Sequence, residues 1–214
     1  KITLPGIEKD ITIYLVGIGY ENKPEEIYRC CDGWVGHVDG MVWFDGRFDF
    51  FPAENDYSTT GWLDAAESRY GSQCDFIAGQ YSGRQIIKRQ KTFDAAAKAG
   101  ADYVIVVDTD DWVDPLWSDF DRFYKHLVAL SEYTKDRNFY QWIYIPSAEL
   151  WPKQGNDSFP DNRWIKSTRI HKNPGTIRYA MQNHLTWADK NITDDAIIQW
   201  QLKFTGLENP YQIQ

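Results

Sequence analysis

Residues 85–114 read QIIKRQKTFDAAAKAGADYVIVVDTDDWVD, and this stretch decides the fold class. Its first part has the pattern of a helix over Gly83 to Gly100. Ile86, Ile87, Gln90, Phe93, Ala97 and neighbouring alanines recur at helical spacing, and Gly100 stands where a C′ glycine belongs. Tyr103-Val104-Ile105-Val106-Val107 is then apolar throughout, the composition of a strand buried on both faces. It ends abruptly in acid, at Asp108-Thr109-Asp110-Asp111.

The same alternation extends outward. Towards the N-terminus, Ile11 to Ile18 reads as a buried strand ending at Gly17 and Gly19. Lys23 to Asp32 follows as a short helix, with Pro24 near its start and Ile27, Cys30 and Cys31 on one face. Val38 to Phe44 is a second strand, stopped by Asp45-Gly46. Residues 47–72 form an irregular excursion with a weak helical stretch near Gly61 to Arg69, and Cys74 to Ala78 is a short strand. Beyond the acidic run, Pro115 opens a helix through about Tyr133, and Gln141 to Pro146 is a strand. The region 147–190 is mixed, strand-like around Trp164 to His171 and Thr176 to Met181, and Asp194 to Phe204 is a last helix. Strands alternating with helices predict an α/β fold: a mostly parallel central sheet flanked by helices. Ligands bind such sheets at the carboxyl ends of the strands. Gly19-Tyr20, Asp45 and Asp108 occupy three of those ends.

Composition narrows the function. A chain of 214 residues suits one domain and buries a core without a metal or disulfide staple. A net charge of −8 and a pI near 5.0 argue against nucleic acid as partner. Cys30, Cys31 and Cys74 are odd in number and lack CxxC spacing, which disfavours a disulfide framework or a structural zinc. A reducing, cytoplasmic setting is expected, and there the sequons Asn156-Asp157-Ser158 and Asn191-Ile192-Thr193 have no role. No run approaches the ~20 apolar residues of a membrane span. The chain begins at Lys1, so it is expected to be part of a larger multidomain protein. Most of the ten Trp, thirteen Tyr and eleven Phe are expected to pack internally, and a minority to offer platforms for a base or sugar ring.

The acidic strand end calls for a partner. Three carboxylates there repel one another and desolvate badly unless paired. A hard divalent cation offsets that cost, since carboxylate oxygens are its preferred ligands. Helix capping competes, with Asp111 or Asp114 capping the helix that Pro115 opens. An EF-hand is excluded, because Trp112, Val113 and Asp119 stand where its loop needs Asp or Asn, Gly and Glu. HExxH, Walker A and GxSxG patterns are absent, and Gly17-Ile18-Gly19 does not extend to GxGxxG.

Together these residues resemble the family 2 glycosyltransferases, whose core runs from a helix carrying an Arg-Asn pair through an apolar strand to an Asp-x-Asp motif. Here the pair is Arg89-Gln90 and the motif Asp108-Thr109-Asp110. Ile27 to Gly46, IYRCCDGWVGHVDGMVWFDG, is similar to the family's first helix and second strand, which end in a nucleotide-binding Asp; Asp45 falls on it. Arg47-Phe48-Asp49 replaces the usual Ser-Thr-Asp that follows. Later, Phe159-Pro160-Asp161 and Asn183-His184 are similar to a subgroup's aromatic-Pro-Asp and terminal His-Glu, with His171 in place of an aromatic and Leu185 in place of the Glu. The likeness spans roughly residues 10 to 187.

The resemblance implies a GT-A type fold in a single domain over 1–214, with a nucleotide-sugar-binding half, 1–115, and an acceptor-binding half, 116–214. It implies a nucleoside-diphosphate-sugar donor and a Mn2+ or Mg2+ ion. Asp110 is expected as direct metal ligand and His184 as a further one, with His171 its competitor. Asp108 is expected at the metal or the ribose, and Asp111 as a supporting acid. Arg89 is expected to meet the diphosphate or a base carbonyl, or else to be a solvated helix charge beside Lys88 and Lys91. Tyr20 is expected to stack on the base or pack within its loop. Asp45 is expected to bind base or ribose, or to serve its Asp-Gly turn. An inverting transfer needs a carboxylate to take the acceptor's proton. Asp161 is expected there, with Glu149 and Asp157 as alternatives. The acceptor is expected to be a glycan, lipid-linked or protein hydroxyl.

Three rivals differ in observable ways. A metal-dependent nucleotidyltransferase would carry a Gly-rich basic loop after the first strand, where Gly19-Tyr20-Glu21-Asn22 stands instead. A carbohydrate-binding module would be all-β, against the helix at 85–99. A degenerate transferase would bind donor without turnover.

Overall fold

The computed structural model describes residues 11–111, 124–125, 127–128, 142–149, 163–172, 174–179 and 187–189. Among these, four strands run parallel: β1 (Ile13–Gly19), β2 (Gly40–Asp45), β3 (Asp75–Gln80) and β4 (Tyr103–Val107). Two more, β5 (Trp142–Glu149) and β6 (Arg163–Lys172), complete a six-stranded sheet in the order β3-β2-β1-β4-β6-β5. β6 lies antiparallel to both neighbours, so β5 points the same way as β4. β7 (Ile177–Tyr179) and β8 (Trp187–Asp189) pair separately, antiparallel. The class is α/β with a mostly parallel central sheet flanked by helices, as the alternation predicts.

Helices cover both faces because the strands are apolar on both. Ile13, Leu15, Tyr103, Ile105 and Val107 share one core with Ile27, Cys30 and Cys31 of α1 (Pro24–Cys31), Trp62, Ala66 and Tyr70 of α2 (Trp62–Tyr70), and Tyr124, Leu127 and Val128. The residues between them, Tyr14, Val16, Val104 and Val106, meet Phe93 and Ala96 of α3 (Gln85–Lys98) on the other side. This period-two division is what a pleated strand imposes. Pro24 opens α1, and Glu26 reaches back to accept the Lys23 amide at 3.1 Å, satisfying a donor the first turn leaves open. Gly17 has no side chain because the ring of Trp43 occupies its place: a Cβ there would lie 2.3 Å from Trp43 Cζ3.

Two expectations change. α3 buries Lys88, Thr92, Phe93 and Ala96, while Ile87 is exposed. Phe93 and Ala96 set the face that meets the sheet, and one turn before Thr92 that face falls on Lys88 rather than on Ile87. The weak helical stretch of 61–69 is a full helix, α2, anchored by the fully buried Trp62 and Tyr70. Gly100 closes α3 with φ +89° in the C′ position, as read from the sequence. Of the helix expected after Pro115, residues 124–125 and 127–128 are described, and they are helical. The helix expected over Asp194 to Phe204 lies outside the described residues.

Candidate functional site at the carboxyl edge of the sheet

Register aligns Gly19, Asp45 and Gln80 across β1, β2 and β3, and sets Val107 beside Gly17. Asp108 therefore emerges at the same edge. α3 returns antiparallel to the strands, so its first turns, with Lys88 and Arg89, begin at that edge too.

The acidic turn is compact. Asp111 Oδ2 accepts the Asp108 amide at 2.7 Å, and the Asp111 amide donates to the Asp108 carbonyl at 3.0 Å. Behind it, the Cys30 thiol donates to the Asp108 carbonyl at 3.4 Å. Contact with Cys31, burial and the nearby acids push the Cys30 pKa up, so this sulfur is a neutral packing group. Arg89 forms an ion pair with Asp108 through Nη2 and Oδ1. It is thus not a solvated helix charge; its guanidinium is largely buried against the acid. Asp110 is exposed.

Asp45 is 3% exposed. Its carboxylate accepts the Ser58 amide at 2.9 Å, the Ser58 hydroxyl at 2.5 Å and the Trp62 indole N–H at 3.1 Å. In this arrangement Asp45 holds the 47–61 segment against the sheet edge, and base or ribose would meet its oxygens only after Ser58 moves. Glu21 strengthens the same clasp from the β1 side. Its amide donates to Ser58 Oγ at 2.6 Å, and its carboxylate accepts the Thr59 amide at 3.0 Å. Glu21 holds φ +52°, in the left-handed region unusual for a residue with a Cβ. Arg47 closes the segment on itself, pairing with Asp56 at 3.0 Å.

Tyr20 lies in this clasp. Its hydroxyl donates to the Asn55 carbonyl at 2.8 Å and its ring meets Phe51 edge-on at 5.9 Å. Phe51 beside it, and Phe50 and Tyr57 in the same segment, are large and exposed.

Lys88, the charge next to Arg89 on α3, is 0% exposed. Nζ donates to the Gly19 carbonyl at 3.0 Å and to the Gly46 carbonyl, and lies 4.0 Å from the Phe48 ring centre. Burial brings its pKa down to about 7, against the opposing pull of Asp45. No motif announces this residue; only the rotation of α3 on the sheet reveals it.

His171 leaves the candidate metal ligands. It is buried in β6 opposite Val104, near the start of β4 and four residues from the acidic end. It packs edge-on against Phe93 at 5.5 Å, and burial lowers its pKa to about 3. It therefore packs in the core as a neutral ring. Glu149 ends β5, at the same edge as Asp108 and two strands away. Asp161, Asp157 and His184 lie outside the described residues. Among the described residues, no three His, Cys, Asp or Glu side chains are grouped so as to hold a metal. No helix among them is long and apolar enough to cross a membrane.

No family model and no curated protein matches the chain. Solved structures do. S. aureus TarS 1-349 aligns with 76% of this chain and 47% of its own length, at 15% identity and a TM-score of 0.43. The same protein in complex with UDP aligns over the same shares at 14% identity and a TM-score of 0.42. In complex with UDP-GlcNAc it aligns with 64% of this chain and 39% of its own, at 15% identity and a TM-score of 0.40. The chain spans less than half the length of these structures.

Proposed function

We propose that this chain is a glycosyltransferase domain of GT-A type that takes a nucleoside-diphosphate sugar at the carboxyl edge of its sheet. The observation that carries the reading is convergence. Asp45, Arg89 and Asp108, expected at the donor from two separate sequence stretches, come from the ends of β2, α3 and β4 to one edge, where α/β sheets bind ligands. Arg89 is the natural diphosphate partner there, since a guanidinium binds phosphate oxygens in bidentate fashion. Donor binding would draw it from Asp108 and leave that carboxylate available.

Asp108 and the exposed Asp110 form a donor set of the right chemistry for a hard cation. Mn2+ or Mg2+ would be held by Asp110 and Asp108, with His184 as a further ligand, and would stabilise charge growing on the leaving diphosphate. Asp161 or Glu149 would take the proton of the acceptor hydroxyl in an inverting transfer. Tyr20 and the exposed ring of Phe51 beside it offer faces for the base.

The test is a thermal-shift panel of nucleoside diphosphates with and without Mn2+. A bound nucleotide stabilises the folded chain by mass action, by about 2.7 kcal/mol at a hundredfold excess over Kd. Asp110→Ala is expected to abolish the Mn2+-dependent part of the shift. A shift that is equal in the variant removes Asp110 from the metal. Release of pyrophosphate from a nucleoside triphosphate, rather than of nucleoside diphosphate from a sugar nucleotide, would favour the nucleotidyltransferase.

A further inference from the structure

We infer that Lys88 is a positioning residue: its ammonium ties the turn after β1 to the turn after β2 and so sets the shape of the donor-side rim. The inference rests on the donor-site reading above. The geometry is a three-way knot. The Gly46 amide donates to the Gly19 carbonyl at 3.2 Å, and Lys88 Nζ donates to the carbonyls of both glycines. Phe48 covers the ammonium from the outside.

Packing alone does not explain a lysine here. An unbranched apolar side chain would fill the same space without the desolvation cost of burying an ion. What the ammonium adds is a donor set aimed at two carbonyls where strands have ended, that of Gly46 and that of Gly19, which also accepts the Gly46 amide. Gly46, at φ +143°, has a backbone that side-chain-bearing residues rarely adopt, and a Cβ there would lie 2.3 Å from the Tyr81 carbonyl oxygen. The turn is thus held in a demanding conformation, and Lys88 is the side chain that holds it. From Gly19 the chain runs directly into Tyr20 and Glu21; from Gly46 it runs into Arg47 and Phe48. Those are the two turns that frame Asp45. Lys88 touches none of the atoms expected to react, so it acts through backbone placement.

Amide hydrogen exchange on the free protein tests this, with nucleoside-diphosphate affinity measured in parallel. Lys88→Met keeps length and removes the donors. Amides of residues 20–22 and 46–49 are expected to exchange at least about tenfold faster while β1, β2 and β4 keep their protection. Affinity for UDP or another nucleoside diphosphate that the unmodified chain binds is expected to fall about tenfold or more. Lys88→Gln, which retains a shorter amide donor, is expected to fall between. Unchanged exchange in both turns, or an equal loss of protection throughout the sheet, would overturn the inference. If neither variant folds, Lys88 is a core element and the positioning role is likewise overturned. Should the unmodified chain bind no nucleotide, the donor-site reading fails, while exchange in the two turns still decides the role of Lys88.

Discussion

Lys88 and Asp108 illustrate how differently two charges at one sheet edge are treated. Asp108 keeps partial contact with water and a guanidinium beside it, whereas Lys88 is sealed from water and answered by carbonyl dipoles and one aromatic ring. The sealed charge has a consequence for stability against pH. The unfolded chain binds a proton at Lys88 below the ordinary lysine pKa of 10.5, but the folded chain binds it only below about 7. Between those values the unfolded state holds the extra proton, so stability falls as pH drops from 10.5 and levels off below about 7. Urea midpoints are expected to rise with pH across this window in the native chain and to rise less in Lys88→Met. Equal slopes would mean that the ammonium is as comfortable in the fold as in water.

The 47–61 segment and α2 form one element around Asp45. The segment starts at Gly46 and ends at Gly61, φ +67°, and is fastened by Arg47 to Asp56, by Glu21 to Thr59, and by Asp45 to Ser58 and Trp62. Removing Asp45 takes the carboxylate acceptor from the partly buried Ser58 amide and hydroxyl and leaves the buried Trp62 indole N–H with Ser58 Oγ alone. Asp45→Ala is expected to cost about 2–4 kcal/mol, read by urea unfolding, and to speed proteolysis between residues 47 and 60. A loss near zero would show that water replaces the carboxylate. That Asp45 mattered was legible in its place after an apolar strand. That its partners are Ser58 and Trp62 was not, since neither stands in a recognisable motif and both are brought in only when α2 docks on β2.

The sheet as a whole joins chain segments far apart. β4, apolar on both faces, is bordered on one side by β1 and on the other by β6, so it does not form an edge. Tyr103 donates to the Leu127 carbonyl at 3.1 Å across the core, and Tyr124 donates to the His37 carbonyl. The halves 1–115 and 116–214 are therefore expected not to fold separately. A 1–115 fragment would present β4 as a bare apolar edge, which invites pairing with other copies. Size exclusion is expected to show aggregates, and a monodisperse, cooperatively unfolding fragment would contradict this.

The order of strands and helices, the buried character of β1 and β4, the C′ glycine of α3 and the acidic strand end follow from the sequence, because periodicity, capping and composition act over a few neighbouring residues. Tertiary structure decided which of these residues meet. It placed Lys88 under two strand ends, drew Arg89 onto Asp108, and carried His171 to the far end of β4. The reason is geometric: rotation of a helix against a sheet and the register of β6 on β4 are fixed by contacts between segments distant in the chain, and no local pattern encodes them.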